Sequence, residues 1–207
     1  MPAGTYEHLD AGGRVRLLER FQCAAGGSGW RFVSRLSTSD GHHMGSVDLT
    51  LDACGRQLRL AVVSGGWSLR GGSTGHELSW VRRPAEDGTA EATEHRERAS
   101  GFTGVSPALL IATAATVPRS GDPVRVRLVA LSGVLGARRL HQQWRLTGVQ
   151  SHLGELGTLD VSAYELVDID TAEQETVHIA GDVVLASPSI GLAELDSPPG
   201  RALHDRR

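Results

Sequence analysis

Short runs in which apolar and polar residues alternate fill most of the chain, and Gly, Asp and Ser separate them. In the run 46–52, Val47, Leu49 and Leu51 point to one face and the intervening polar residues to the other. Residues 57–62 repeat this pattern after the short link 53–55. Runs that arrive about every ten residues are typical of an antiparallel meander.

The same alternation continues beyond the middle of the chain. We predict further strands in the segments 14–23, 30–34, 67–69, 76–81, 124–128, 140–147, 159–164, 176–185 and 190–195. The fold class is therefore mainly β: about ten strands in one large curved antiparallel sheet or open barrel. We expect a single domain over residues 1–196, because no linker divides the chain.

Three segments depart from the strand pattern. Ser106 and Pro107 precede an apolar run, which predicts an N-capped helix over 107–116. That helix is apolar nearly all round, so we expect it to be buried in the concave side of the sheet. Residues 84–100 are polar and charged, which indicates an exposed loop or a solvated strand pair. Residues 197–207 are expected to form a disordered tail.

Composition narrows the class of protein. The net charge is −3 and no basic stripe is visible, which argues against nucleic-acid binding. All 21 positively charged residues are Arg, so lysine Schiff-base chemistry and a P-loop lysine are excluded. No apolar run is long enough for a membrane span, and the N-terminal residues do not resemble a signal peptide. We expect a cytoplasmic protein in which Cys23 and Cys54 are not bridged.

The familiar chemical motifs are missing. His42 and His43 are adjacent, so on a strand they would point to opposite faces and bind one metal poorly. His76 and Glu77 fail for the same reason. No zinc signature, nucleophile elbow or helix-opening Gly-rich loop occurs. We predict no metal and no cofactor.

The candidate ligand-binding residues are aromatic side chains on strands, one helix residue and two polar residues on apolar faces. They are Trp30, Phe32, Trp67, Trp80, Leu109, Gln142, Trp144 and Glu165. For the tryptophans, plain core packing is the competing interpretation. A register slip of one residue would exchange Gln142 and Glu165 for His141 and Tyr164.

The segments GELGTLDVSAYE (154–165) and HIAGDVVLASPSIGLAEL (178–195) resemble the end of the glycolipid-binding family, and more broadly the lipoprotein-carrier-like open barrels. The segments YEHLDAGGRVRLLERF (6–21) and VDLTLDACGRQLRL (47–60) are compatible with the first half of that family. The resemblance implies a curved sheet that wraps a helix and holds an acyl or lipid-like ligand.

These observations leave three hypotheses for function. In the first, the protein binds a hydrophobic or lipid-like small molecule in the cavity of the open barrel. In the second, the same cavity serves a cyclase or isomerase of polyketide or terpenoid metabolism, with no metal and no covalent nucleophile. In the third, the chain is a partner-binding module that uses residues 84–100. Whether the chain forms a homodimer is left open.

Overall fold

The structure is a computed structural model, and it describes residues 1–26, 29–86, 91–154 and 157–200. It contains one short α-helix and fifteen β-strands. The elements, in chain order, are β1 (Ala3–Leu9), β2 (Val15–Gly26), β3 (Gly29–Ser37), β4 (His43–Asp52), β5 (Gln57–Ser64), β6 (Trp67–Thr74), β7 (Glu77–Pro84), β8 (Thr93–Arg98), β9 (Gly101–Gly104), α1 (Pro107–Ala114), β10 (Val124–Leu131), β11 (Ala137–Gly154), β12 (Gly157–Asp168), β13 (Gln174–Ala180), β14 (Val183–Ser187) and β15 (Ile190–Ser197).

All fifteen strands belong to one open sheet. Strands β1 to β8 form one meander and β10 to β15 a second, and the two meanders join where β1 pairs with β15. Strand β9 lies at the far edge and runs parallel to β10, because α1 carries the chain back between them. This parallel pair is a departure from the predicted all-antiparallel sheet.

The two ends of the sheet lie against each other although they do not pair as strands. The Gln57 side-chain amide of β5 donates to the Phe102 carbonyl at 3.0 Å and accepts from the Phe102 N–H at 2.7 Å. Trp80 of β7 meets the Phe102 ring edge-on, and Arg139 of β11 pairs with Glu97 of β8. The sheet therefore rolls up and encloses an interior.

Apolar residues on the inner faces of the strands fill this interior. In β4, Val47, Leu49 and Leu51 are buried, as their alternation predicts. Tyr6 and Phe21 stack across β1 and β2 with ring centroids 4.5 Å apart, and the stack continues into β3. These rings are diagonal neighbours on one face of the sheet, a spacing within reach of aromatic side chains, and such cross-strand contacts stabilise neighbouring strands.

Helix α1 begins where the sequence predicts. Ser106 is the N-cap, its hydroxyl accepts from the Ala108 N–H, and Pro107 occupies the first turn. All of its residues except Leu110 are buried, as an all-apolar surface requires. The helix ends two residues earlier than predicted, at Ala114.

The predicted count of about ten strands is wrong, because β1 and β9 were missed, β8 was only one of two alternatives for residues 84–100, and the predicted run 176–185 forms two strands, β13 and β14. Strand β1 carries Gly, Thr and His among its apolar residues, β8 is almost entirely polar, and β9 has only four residues. In sequence, none of the three shows the clear alternation of apolar and polar residues on which strand prediction depends.

Parts of the predicted loop and tail are structured. Residues 93–98 pair with β7, as the strand-pair alternative for 84–100 would have it, whereas 87–90 lie outside the described residues. Ser197 ends β15, and the Gly200 N–H donates to Asp182 at 2.6 Å. The rest of the predicted tail, 201–207, lies outside the described residues.

Two further expectations concern compartment and oxidation. Cys23 is buried and Cys54 is exposed, and no disulfide joins them. Among the described residues, no helix is long and apolar enough to cross a membrane.

Candidate functional site

A cavity of about 580 Å³ opens beside the first turn of α1. One wall is formed by β10 and β11, another by the adjoining ends of β1, β14 and β15, and a third by the end of β12 and the segment that follows it. The residues that line it are His8, Thr103, Gly104, Val105, Ser106, Leu110, Ala130, Leu131, Ser132, Gly136, Ala137, Arg138, Leu140, Gln142, Leu166, Asp168, Glu173, Glu175, Ser187, Ser189 and Ile190.

Glu19 lies behind this cavity as a fully buried carboxyl group. Its Oε1 accepts hydrogen bonds from the hydroxyls of Ser34 and Ser106, each at 2.6 Å. Its Oε2 lies 2.7 Å from Nε2 of His8. The partners come from β3, from the N-cap of α1 and from β1. A buried carboxylate is tolerated only with such hydrogen-bonding partners.

His8 connects Glu19 with the cavity. Its side chain is 17% exposed, and it belongs to the cavity lining. Because an ionised carboxylate accepts but cannot donate, the contact with Glu19 assigns the Nε2–H tautomer to the neutral imidazole. The other ring nitrogen, Nδ1, makes no hydrogen bond to any described residue. His8 therefore offers a proton-accepting nitrogen beside the cavity.

Two more polar side chains, Ser187 and Gln142, have a polar group that makes no hydrogen bond to a described residue. The Ser187 hydroxyl is buried and has no partner among the described residues. Across the strands, His8 stands opposite Ile190, and Ile190 stands opposite Ser187. Gln142 on β11 accepts from Nε1 of Trp144 at 3.0 Å, which leaves its amide NH₂ without a bond to a described residue. The lining thus contributes a proton acceptor on His8 and an amide donor on Gln142, and the unpartnered hydroxyl of Ser187 lies buried just behind its surface.

The rest of the lining divides into an apolar part and a charged rim. The large apolar residues of the lining include Leu110, Leu140, Leu166 and Ile190. The charged residues of the lining are three carboxylates and one guanidinium, namely Asp168, Glu173, Glu175 and Arg138. This excess of negative charge favours a neutral polar group on a ligand over an anionic one.

Of the predicted ligand-binding residues, Gln142 lines this cavity. Trp30 and Phe32 are instead packed in the interior with Phe21, and Nε1 of Trp30 donates to the buried carboxylate of Asp182 at 3.1 Å. For these two residues, the structure matches the core-packing interpretation.

The other apolar candidates are also absent from the lining of this cavity, which we call the His8 cavity. Leu109 is fully buried in the core, and Trp144 packs beside Tyr164. Trp67 lies under the Arg82 guanidinium, 3.4 Å from the ring centroid. Trp80 stacks on a histidine of β8 and lines two smaller cavities, of about 370 and 360 Å³.

Glu165 does not line the cavity, so its assignment requires correction. In β12 the inward positions are held by Tyr164 and Leu166, and Glu165 points outward, where it pairs with Arg145 at 2.9 Å. Val161 and Ala163 misled the assignment, because both are small enough to be half-buried on the outer face. Neither residue of the register-slip alternative lines the cavity: Tyr164 is buried in the core, and His141 approaches Asp170 at 3.8 Å.

Sequence reasoning missed His8, Glu19, Ser34 and Ser187. The signal for Glu19 was present, because Glu19 shares a strand face with Phe21 and Cys23. The phase break at Leu17 and Leu18 concealed it. Ser34 similarly continues an apolar face of β3. Nothing local marks His8 or Ser187, since each acquires its surroundings from strands distant in sequence.

A second buried carboxylate lies further along the interior. Asp182 accepts from Trp30 and from the Gly200 N–H, and the Cys23 thiol approaches it at 3.7 Å. Burial, followed by the charge of Asp182, raises the pKa of Cys23 far above its usual value. The thiol therefore stays protonated and is a poor nucleophile. Among the described residues, no cluster of His, Cys, Asp and Glu could hold a metal ion.

Comparison of the chain with protein-family models, with curated proteins and with solved structures finds no match. The resemblance to the glycolipid-binding family stays a prediction. The fold and the cavity therefore carry the functional proposal by themselves.

Proposed function

We propose that this protein binds a hydrophobic or lipid-like small molecule in the His8 cavity, and that the ligand carries a neutral polar group. The observation that carries the proposal is the combination of an apolar wall with unused hydrogen-bonding atoms on His8, Ser187 and Gln142. A cavity of about 580 Å³ is in the range usual for small-molecule sites.

The polar atoms specify the ligand further. Nδ1 of His8 suits a hydroxyl or another proton donor, whereas the Ser187 hydroxyl and the Gln142 amide can donate to a carbonyl or ether oxygen. The carboxylates at the rim disfavour a free fatty acid. A neutral alcohol, ketone or ester with an apolar body fits these features best.

Nile red, a neutral apolar dye whose emission rises in apolar surroundings, tests the proposal. The dye should bind the wild-type protein and be displaced by decanol more readily than by decanoate. Leu110→Trp fills the cavity from α1 and should weaken dye binding at least tenfold. Leu58→Trp is the matched control, because Leu58 lies exposed on β5, away from the cavity.

Equal dye binding by both tryptophan variants and the wild type would contradict the proposal, and so would an absence of dye binding. Native mass spectrometry of protein purified without delipidation provides an independent measurement. It should show an added mass that disappears in the Leu110→Trp variant.

A second candidate function is a cyclase or isomerase that uses the same cavity. The specific observation in its favour is the contact between the buried Glu19 and His8, a residue of the cavity lining, because an oriented histidine can serve as a base.

A further inference from the structure

We infer that His8 is a general base for a carbon acid bound in the cavity, and that Glu19 is its positioning residue. The inference rests on the proposed function, because it requires the ligand to occupy the His8 cavity. The substrate class is a neutral, enolisable carbonyl compound with an apolar body. The reaction class is isomerisation by proton transfer.

The imidazole of His8 is held in one orientation by its contact with Glu19. Glu19 fixes Nε2–H of His8, so the basic Nδ1 remains for the bound molecule. A base must lie within hydrogen-bonding reach of the proton that it removes, and a second group must hold it in the correct tautomer. The contact with Glu19 meets the second condition, and the place of His8 in the lining puts Nδ1 within reach of a molecule bound there.

The carboxylate of Glu19 is itself held in place by hydrogen bonds. Its Oε1 is held by Ser34 and Ser106, so the carboxylate cannot rotate away from His8. A bound base is most effective when its supporting residues are themselves fixed. An apolar residue at position 19 would avoid the cost of burying a charge, and such replacements are often neutral or stabilising. A role for the charge in orienting His8 accounts for its presence.

The Ser187 hydroxyl can stabilise the negative charge that develops on the substrate when the proton is removed. When Nδ1 of His8 removes the proton next to a carbonyl, the C–H electron pair becomes the C=C bond of an enolate and the charge moves to the carbonyl oxygen. Ser187 lies two strand spacings from His8, about 10 Å at Cα, and its hydroxyl is unused. In a β,γ-unsaturated carbonyl compound the enolate is a dienolate, so the imidazolium returns the same proton to the γ-carbon, the C=C bond moves into conjugation with the carbonyl, and the reaction needs no further reactant.

A surrogate carbon acid tests His8 without knowledge of the natural substrate. In 5-nitrobenzisoxazole, a base removes the C3 proton, the C–H electron pair forms the nitrile, and the N–O bond breaks to release a coloured phenolate. The wild-type protein should catalyse this elimination with saturation. His8→Ala should lower kcat/KM by about 100-fold or more, the usual range for a positioned base. His152→Ala, at an exposed histidine outside the cavity, is the matched control and should have no effect.

Two further measurements separate catalysis from folding. Free imidazole should restore part of the rate of the His8→Ala variant, a rescue that a purely structural histidine would not show. Glu19→Gln should lower kcat with little change in KM, because the neutral amide no longer imposes the Nε2–H tautomer. In the wild type, ¹⁵N NMR should show His8 as the Nε2–H tautomer.

The outcomes are distinguishable from those of the binding experiment. If 5-nitrobenzisoxazole displaces Nile red but is eliminated equally fast by wild type and His8→Ala, the base assignment is overturned and the binding proposal stands. An Nδ1–H tautomer in the wild type would overturn it as well. If the wild type binds neither compound, the proposed function fails first.

Discussion

Replacing Ser106 with Ala removes one hydroxyl that has two functions. The hydroxyl donates to Oε1 of the buried Glu19 at 2.6 Å, and it accepts from the Ala108 N–H at 3.4 Å as the N-cap of α1. The substitution therefore weakens the attachment of the helix to β2 and the start of the helix itself. Alanine adds no bulk, so the packing around the site is otherwise retained.

The size of the effect follows from these two contacts. A hydrogen bond to a charged group contributes about 1.5–3 kcal/mol. Loss of an N-cap costs about 0.5–2 kcal/mol, and the long contact to Ala108 places this helix near the lower limit. Ser106→Ala should therefore lower the free energy of unfolding by about 2–3.5 kcal/mol. Ser34→Ala is the matched control, because Ser34 donates to the same oxygen at the same distance but caps no helix.

Urea unfolding followed by tryptophan fluorescence measures both variants, with the slope against urea unchanged if two-state unfolding holds. Ser106→Ala should be the less stable of the two by about 0.5 kcal/mol or more. Loss of less than about 1 kcal/mol in both variants would refute the idea that Glu19 is an ionised acceptor. A larger loss in Ser34→Ala than in Ser106→Ala would refute the contribution of the cap.

Three other perturbations test the remaining buried polar groups. Burial raises the pKa of both Cys23 and Tyr6, so the folded state keeps protons that the unfolded state releases at alkaline pH. The free energy of unfolding should therefore be highest below about pH 8.5 and fall as the pH rises. In urea titrations at alkaline pH, Cys23→Ala should lessen this fall. Asp182→Ala leaves Nε1 of Trp30 without its acceptor and should cost about 2–4 kcal/mol in urea unfolding, and an unchanged midpoint would contradict this. Gln57→Leu removes two hydrogen bonds to the backbone of β9 and should lower the free energy of unfolding by about 2–4 kcal/mol. Hydrogen exchange should then accelerate in β9 but not in β4. Equal acceleration in both strands would contradict a local role.

The sequence predicts the elements whose environment is set locally. Strands β4 and β5 show their inner faces as an apolar alternation, and α1 shows its beginning in Ser106 and Pro107. Strand β8 could be given only as an alternative to an exposed loop, because an exposed edge strand needs no apolar face. The inward face of β12 was assigned incorrectly because the rolled sheet half-buries Val161 and Ala163 on its outer side.

The site was less predictable than the fold. Gln142 was recognised because it is a polar residue on an otherwise apolar face, and the same argument applies to Glu19. The partners of Glu19 were beyond reach, since Ser106 is 87 residues away and meets it only when α1 enters the rolled sheet. His8 becomes informative only through that contact, because an isolated histidine on a strand has no distinguishing pattern.

The edges of the sheet have a consequence for how the protein behaves among its own copies. A sheet of fifteen strands with two free edges would ordinarily invite strands from other molecules to add to it. Here one edge, β8, carries Glu and Arg side chains along most of its length, and the Gln57 amide occupies backbone groups of the other edge, β9. Both edges are thus poor templates for intermolecular strand addition, and we expect a sheet of this width to resist growth into fibrils.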